Sequence, residues 1–515
     1  MKDVDRQSLP DDPEALKSLL IEQHQQFVAT LKNKDNKLLQ LEEQIRLLLS
    51  KRFGASSERH PGQHELFDEA EHETAEAVIA VEAPPEVDVA AHTKKKPGRK
   101  PLPEQLPRVE VIHDLTDDEK VCVHDGHPLH KIGEDVSEQL DIIPARIQVI
   151  RNVRVKYGCR HCEAGVITAP VPTQIIPKSI ATPGLLAYVA VSKYLDALPL
   201  YRLEKLFERI GVSLSRRTMS AWMIQMAGIL GPLMVLLQAQ LRSGRVLHMD
   251  ETRVQVLSEE GKTASSQSYM WVTRSGGADP PIVWYQYEPG RGRDVPMRLL
   301  QGFKGHLVTD GYAGYKAITA EADITGVGCW AHARRKFDEA LKVQGGKKTG
   351  RAQIALNEIR KLYAVERDIK TLSAAEKYTQ RQERAKPVAL KLRAWLTRSL
   401  PEVAPKTTLG KALRYLDNEW PRLVPYLDNG ELPIDNNACE NAIRPFVIGR
   451  KNWLFSQSVD GAQASATIYS LIETARLNGQ EPYRYLRYVL TEIAGGNEDY
   501  ESLLPHNLDP VRTAD

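Results

Sequence analysis

The chain has 515 residues, 42% of them hydrophobic and 26% charged, with a formal net charge of +2. That is the composition of a soluble protein of several domains with ample core. No apolar run approaches the roughly 18 residues of a membrane span, and the acidic, polar N-terminus lacks a signal-peptide layout. Five cysteines over this length do not make a disulfide framework, so a bacterial-type reducing cytoplasm is expected and a membrane partner is not.

Residues 12–53 predict one long helix. Leu20, Phe27, Leu41 and Leu48 share one heptad position and Leu31, Leu38 and Ile45 the other, with His24 and Lys34 interrupting the seam. A coiled coil is expected, and with it a homodimer or higher oligomer; a helix packed on its own protein is the plainer alternative. Residues 54–106 read as a disordered linker with a basic run. Pro61 to Ala91 carries nine Asp/Glu and no Lys or Arg, too polar a stretch to bury a core. Charge reverses in K-K-K-P-G-R-K-P. There Lys94, Lys95, Lys96, Arg99 and Lys100 suit an extended contact with double-stranded DNA, Arg99 in the minor groove and the lysines on phosphates. A solvated linker would have the same composition.

Residues 107–175 predict a small zinc-ribbon-like β module. Cys159 and Cys162 form a C-x-x-C, half of a zinc knuckle, and the alternating apolar and basic residues before them suit a hairpin. The matching half holds Cys122, but three residues on stands Asp125 instead of a cysteine. His124, Asp125 or His127 would complete a tetrahedral zinc site; otherwise the cysteines merely pack. Residues 176–240 are helical in pattern, and Leu206 to Trp222 has a helix-turn-helix layout. Gly211 supplies the turn, Ser215 the cap, and Arg216 and Arg217 head the second helix, where they face a groove or phosphates. Three helices packed for structure alone would read alike.

Residues 241–475 hold the chemistry-bearing motifs. Val246, Val254 and Val256 mark a strand interrupted by Asp250, a carboxylate that needs a cation or hydrogen bonds if desolvated. Strand-like runs follow at Ser268 to Arg274 and Pro281 to Tyr287, then a helix near Val295 to Leu300. H-L-V-T-D-G-Y-A-G-Y ends a further strand at Asp310, and the next apolar run is Ile324 to Phe337. Three meander strands, a helix and two more strands is the order of an α/β, ribonuclease H-like core. Residues of about 338–430 read as an all-helical insertion, after which I-D-N-N-A-C-E-N-A-I-R-P places Glu440 on a helix with Arg444 one turn later. Two aspartates at strand ends and a glutamate on a following helix can converge on a pair of hard divalent cations, Mg2+ or Mn2+, suited to phosphodiester chemistry. Glu251, next to Asp250 on a strand, is expected to face the other side, and Asp435 with Asn436 fits a helix cap. Residues 476–515 form a C-terminal extension.

The ordered set M-D-E-T, T-D-G-Y-A-G-Y, C-W-A-H-A-R-R-K-F, D-N-N-A-C-E-N-A-I-R-P and G-R-K-N-W-L-F-S resembles the transposases of the insertion sequence 66 family, specifically the large subunit, over nearly the whole chain. The resemblance implies a DDE transposase with Asp250, Asp310 and Glu440 as its metal-binding triad and Cys329 and His332 as a supporting C-x-x-H element. It also implies action on terminal inverted repeats and target DNA, with small accessory proteins of the same element as partners and a nucleoid-associated location. Arg444, Arg450 and Lys451 are then expected at phosphates beside the triad, and Arg334 and Arg335 on the DNA backbone. The competing expectations are a catalytically silent DNA-binding regulator and a ribonuclease H-like nuclease without strand transfer.

Overall fold

The structure is a computed structural model that describes residues 12–53, 147–158, 166–170, 172–321, 323–343 and 350–510. The acidic linker, the basic run with Lys94, Lys95, Lys96, Arg99 and Lys100, and the ribbon positions Cys122, Asp125, Cys159 and Cys162 lie outside the described residues. Contacts divide the chain into Glu76–Pro172 and a larger unit made of the rest. In the smaller unit, β1 (Lys156–Gly158) pairs antiparallel with β2 (Val166–Thr168), and the Arg154 side chain donates to the Ala169 carbonyl at 2.7 Å.

In the larger unit, α1 (Pro13–Phe53) is a single helix of 41 residues. The heptad residues Leu20, Phe27, Leu31, Leu38, Leu41 and Ile45 are all exposed, a stripe that none of the described residues covers. Four helices follow: α2 (Pro183–Tyr194), α3 (Leu200–Arg209), α4 (Arg216–Ile229) and α5 (Gly231–Ser243). The turn between α3 and α4 forms as its residues dictate. Gly211 takes φ +82°, and the Ser215 hydroxyl caps α4 by accepting from the Thr218 amide at 3.1 Å. Leu203, Phe207, Met219 and Met226 are buried beneath it, while Arg216 and Arg217 are exposed.

The sheet is built from β3 (Val246–Ser258), β4 (Gln267–Ser275), β5 (Val283–Glu288), β6 (Gly305–Val308) and β7 (Ile324–Val327), with α6 (Asp294–Leu299) between β5 and β6. Their order across the sheet is β5-β4-β3-β6-β7. β3, β4 and β5 run antiparallel as a meander, whereas β6 and β7 continue the sheet in parallel. The apolar run around Asp250 is therefore one continuous strand of 13 residues at the sheet's centre.

After β7 come α7 (Trp330–Val343), α8 (Arg351–Asp368), α9 (Ala374–Gln380), α10 (Lys386–Ser399), α11 (Thr408–Leu423), the short α12 (Pro425–Asp428) and α13 (Asn437–Trp453). β8 (Ser456–Ser458) then pairs with the far end of β3, and α14 (Val459–Leu477) and α15 (Pro482–Ala494) complete the unit. Helices bury both faces of the sheet, as a mixed sheet of apolar strands requires. Leu247 and Met249 join a core with α2–α5 and α13–α15, while Val246, Val308 and Val327 join a second core with α7, α8, α10 and α11. The edge strand β5 is covered by α14. Ser470 accepts from the Tyr285 amide at 2.8 Å and Thr474 from the Val283 amide at 3.0 Å, so the edge offers few free donors. Among the described residues no single helix is long and apolar enough to cross a membrane.

Candidate active site

The register of the central strands brings two of the three predicted carboxylates level. β3 and β6 pair in parallel as Leu247 with Leu307 and His248 with Val308. Asp250 and Asp310 each follow two residues beyond that last pair, so parallel strands of equal rise carry them to the same height. Backbone amides orient both: Asp250 Oδ1 accepts from the Glu251 N–H at 2.8 Å, and Asp310 Oδ1 from the Tyr312 N–H at 2.9 Å.

Glu440 comes to the same place because α13 starts against β3. Asn436 is fully buried just before that helix. Its side-chain amide donates to the Met249 carbonyl at 3.2 Å, and its Oδ1 meets His248 Nδ1 at 2.9 Å. Its backbone N–H donates to the Cys329 sulfur at 3.2 Å, tying in the β7–α7 junction. Burial drives the His248 imidazole down to about 4, so it is neutral and Nδ1–H donates to Asn436. The expected capping pair thus divides. Asn436 makes no side-chain cap bond, whereas Asp435 accepts from the Asn437 amide at 3.2 Å and from the Tyr363 hydroxyl at 2.9 Å.

Electrostatics mark these carboxylates as a cluster. Burial, and then the charges of Glu251, Asp310 and Glu440, push Asp250 well above the usual carboxylate range, against the pull of the Glu251 amide. Among the described residues Asp250 has no ion-pair partner. Glu251 has one, since it is buried, paired with Arg291 and accepts from the Tyr315 hydroxyl. Arg291 in turn stacks on the Tyr312 ring at 3.7 Å. Glu251 therefore braces the turn after Asp310, and the motif's two tyrosines form that brace. Arg422 holds the same turn from α11, donating to Thr309 Oγ1 at 2.5 Å and to the Asp310 carbonyl at 3.3 Å.

The C-x-x-H element lies against Glu440. His332 Nδ1 is 3.6 Å from Glu440 Oε1, too far for a hydrogen bond, and neither buried atom has a partner among the described residues. The ligand atoms of Cys329, His332 and Glu440 all lie within 4.8 Å of one another. Burial, with the Glu440 and Asp435 charges, raises the Cys329 thiol.

The predicted cations divide. Arg444 is half-buried one turn beyond Glu440 and makes no hydrogen bond or ion pair among the described residues. Lys451 is exposed at the end of α13. Arg450 instead ties α13 to β3, donating to Thr252 Oγ1 at 3.1 Å and to the Arg253 carbonyl. Arg334 sits 3.8 Å from Asp338, and Arg335 is half-buried within reach of the Glu440 charge. The sequence reading missed Asn436 as a strut, Arg291 and Arg422. Of these, only the Y-A-G-Y spacing after Asp310 carried a signal.

Residues 178–464 match the model of the Transposase IS66 family. Residues 40–111 match "Transposase C of IS166 homeodomain", 119–163 the "zinc-finger binding domain of transposase IS66", and 470–506 the "IS66 C-terminal element". An uncharacterized protein of Sinorhizobium fredii, y4qI, is 32% identical over 536 residues, covering 98% of this chain and 98% of its own. A second from the same organism, y4jD, is 34% identical over 420 residues, covering 79% of this chain and 81% of its own. With its central domain, zinc-finger region and C-terminal element all matched, the chain belongs to the insertion sequence 66 family of transposases.

Proposed function

We propose that the chain is a DDE transposase that cleaves the ends of its element and joins them to target DNA. The observation that carries this is the meeting of Asp250, Asp310 and Glu440, from two neighbouring strands and one helix, with the charges of Asp310 and Glu440 acting on a buried Asp250. An all-oxygen donor set of this kind fits magnesium or manganese, and the orphaned Glu440 Oε1 is in keeping with it. Asp250, Asp310 and Glu440 would hold the ions, which when bound activate the attacking oxygen and stabilise the leaving one.

The rest is what the chain's own residues do. Asn436 fixes the Glu440 helix against β3, and Glu251, Arg291 and Arg422 fix the Asp310 turn. Arg444 and Lys451 would take phosphates beside the triad, and the exposed Arg216 and Arg217, with the basic run, would grip the element's end. Water would displace the 3′ oxygen at the element's end, and the freed 3′-hydroxyl would displace an oxygen of a target phosphodiester in the same way. The fold supports this reading, because a meander continued by two parallel strands, β5-β4-β3-β6-β7, is the order of a ribonuclease H-like core. We take that core as residues 241–475, with α8–α12 as its helical insertion. The exposed heptad stripe of α1 supports a dimer, which would hold two DNA ends together.

The test is a labelled terminal-repeat duplex incubated with magnesium and either the wild-type chain or Asp310→Asn. Wild type should cut at the element's end and join it to target, and the variant should lose both by about a thousandfold. Equal end binding with no cutting by either protein would favour the silent regulator, and unplaced cutting without joining would favour a nuclease.

A further inference from the structure

We propose that Cys329, His332 and Glu440 form a second cation site, for a thiophilic divalent ion of the zinc class, and that its occupation withdraws Glu440 from the triad. The competition rests on the function proposed above; the site itself does not. The C-x-x-H spacing sets Cys329 at the end of β7 and His332 in the first turn of α7, facing Glu440 in the first turn of α13. Zinc bonds of about 2.0–2.3 Å give a tetrahedron with edges of about 3.3–3.6 Å. The 3.6 Å between His332 Nδ1 and Glu440 Oε1 is such an edge, whereas it is too long for the hydrogen bond that would otherwise explain the pair. Both atoms are buried without partners among the described residues, as two ligands aimed at one point would be.

The Cys329 sulfur is held in place beside them. Its Asn436 amide donor lies at 3.2 Å, and the His332 backbone amide also bonds it. One sulfur, one imidazole and one carboxylate suit zinc, while magnesium demands oxygen and leaves such a set empty. The two sites thus select different ions yet share one carboxylate.

The test uses the full-length chain, freed of metal with a chelator and titrated with cobalt(II), whose thiolate charge-transfer band reports cysteine ligation. Wild type, Cys329→Ser and His332→Ala are compared, with Cys159→Ser alongside to identify cobalt bound at the C-x-x-C. Wild type should bind one cobalt more than Cys329→Ser, with at least tenfold weaker binding at that site in His332→Ala, and Cys159→Ser should keep it. Equal stoichiometry and band intensity in wild type and both site variants would overturn the site. Zinc is then added to magnesium-dependent end cleavage, each protein normalised to its own zinc-free rate. The zinc concentration that halves cleavage should be at least tenfold higher for Cys329→Ser. Cobalt binding at the site with equal zinc sensitivity would overturn the competition alone, and a chain that binds cobalt there but never cuts would instead count against the proposed function.

Discussion

Asn436 holds three partners at once, two of them through its side chain. Asn436→Ala leaves the Met249 carbonyl and the His248 imidazole buried without their bonds. Unfolding in urea should show a loss of about 1–3 kcal/mol, and end cleavage should fall with it as α13 loosens. A loss under about 0.5 kcal/mol would mean that the strut is not a strut. Lys193 offers a test through pH. Its amine lies 5.0 Å from the Tyr194 ring centre and 5.3 Å from that of Trp453, and burial lowers it from 10.5 to about 8. The folded state holds that charge less well than the unfolded chain does. The penalty is therefore full below pH 8, fades as pH rises toward 10.5 and is gone above it. Lys193→Met should accordingly stabilise the protein at pH 7 by roughly 1–2 kcal/mol, and thermal melts should show the advantage vanishing across that window. A gain independent of pH would point to packing alone.

Among the elements, the helical layer α8–α12 turns on one arginine. Arg381 is buried, bonds both oxygens of Glu366 at 2.8 and 2.6 Å, and donates to the carbonyls of Tyr426 and Asn429 at 2.8 Å each. Arg381→Met leaves the Glu366 carboxylate unpaired and should destabilise by about 3–5 kcal/mol in denaturant unfolding. Adding Glu366→Leu should recover most of the loss, because the stranded charge carries most of the penalty. How far elements were legible from sequence follows from what makes them. Short apolar runs beside Asp250 and Asp310 marked β3 and β6, and Gly211 with Ser215 marked the α3–α4 turn, since both signals are local. The brace on Asp310 is not local. Arg422 lies 112 residues away on a helix whose basic composition resembles any solvated face. Asn436 reads as a cap from its neighbours, and only the meeting of α13 with β3 turns its side chain sideways. Arg450, one of several basic residues closing α13, carried no mark that it would bond back to β3.

At the scale of the whole molecule, residues 190 positions apart (Asp250 to Glu440) reach one point because a parallel strand pair and a helix end meet at the sheet's centre. The helical layer closes one face of that sheet, and the α3–α4 turn with its exposed arginines belongs to the helices packed on the other. Asp250, Asp310 and Glu440 are proposed to act as one unit in DNA strand transfer. The most direct measurement is joining of pre-cut element ends to target in magnesium by Asp250→Asn, Asp310→Asn and Glu440→Gln, each first shown to bind the end as wild type does. The account predicts that every one of the three loses joining by about a thousandfold or more. Any one of them joining within about tenfold of wild type would contradict it, because a carboxylate that held a catalytic metal could not be exchanged for an amide at so small a loss.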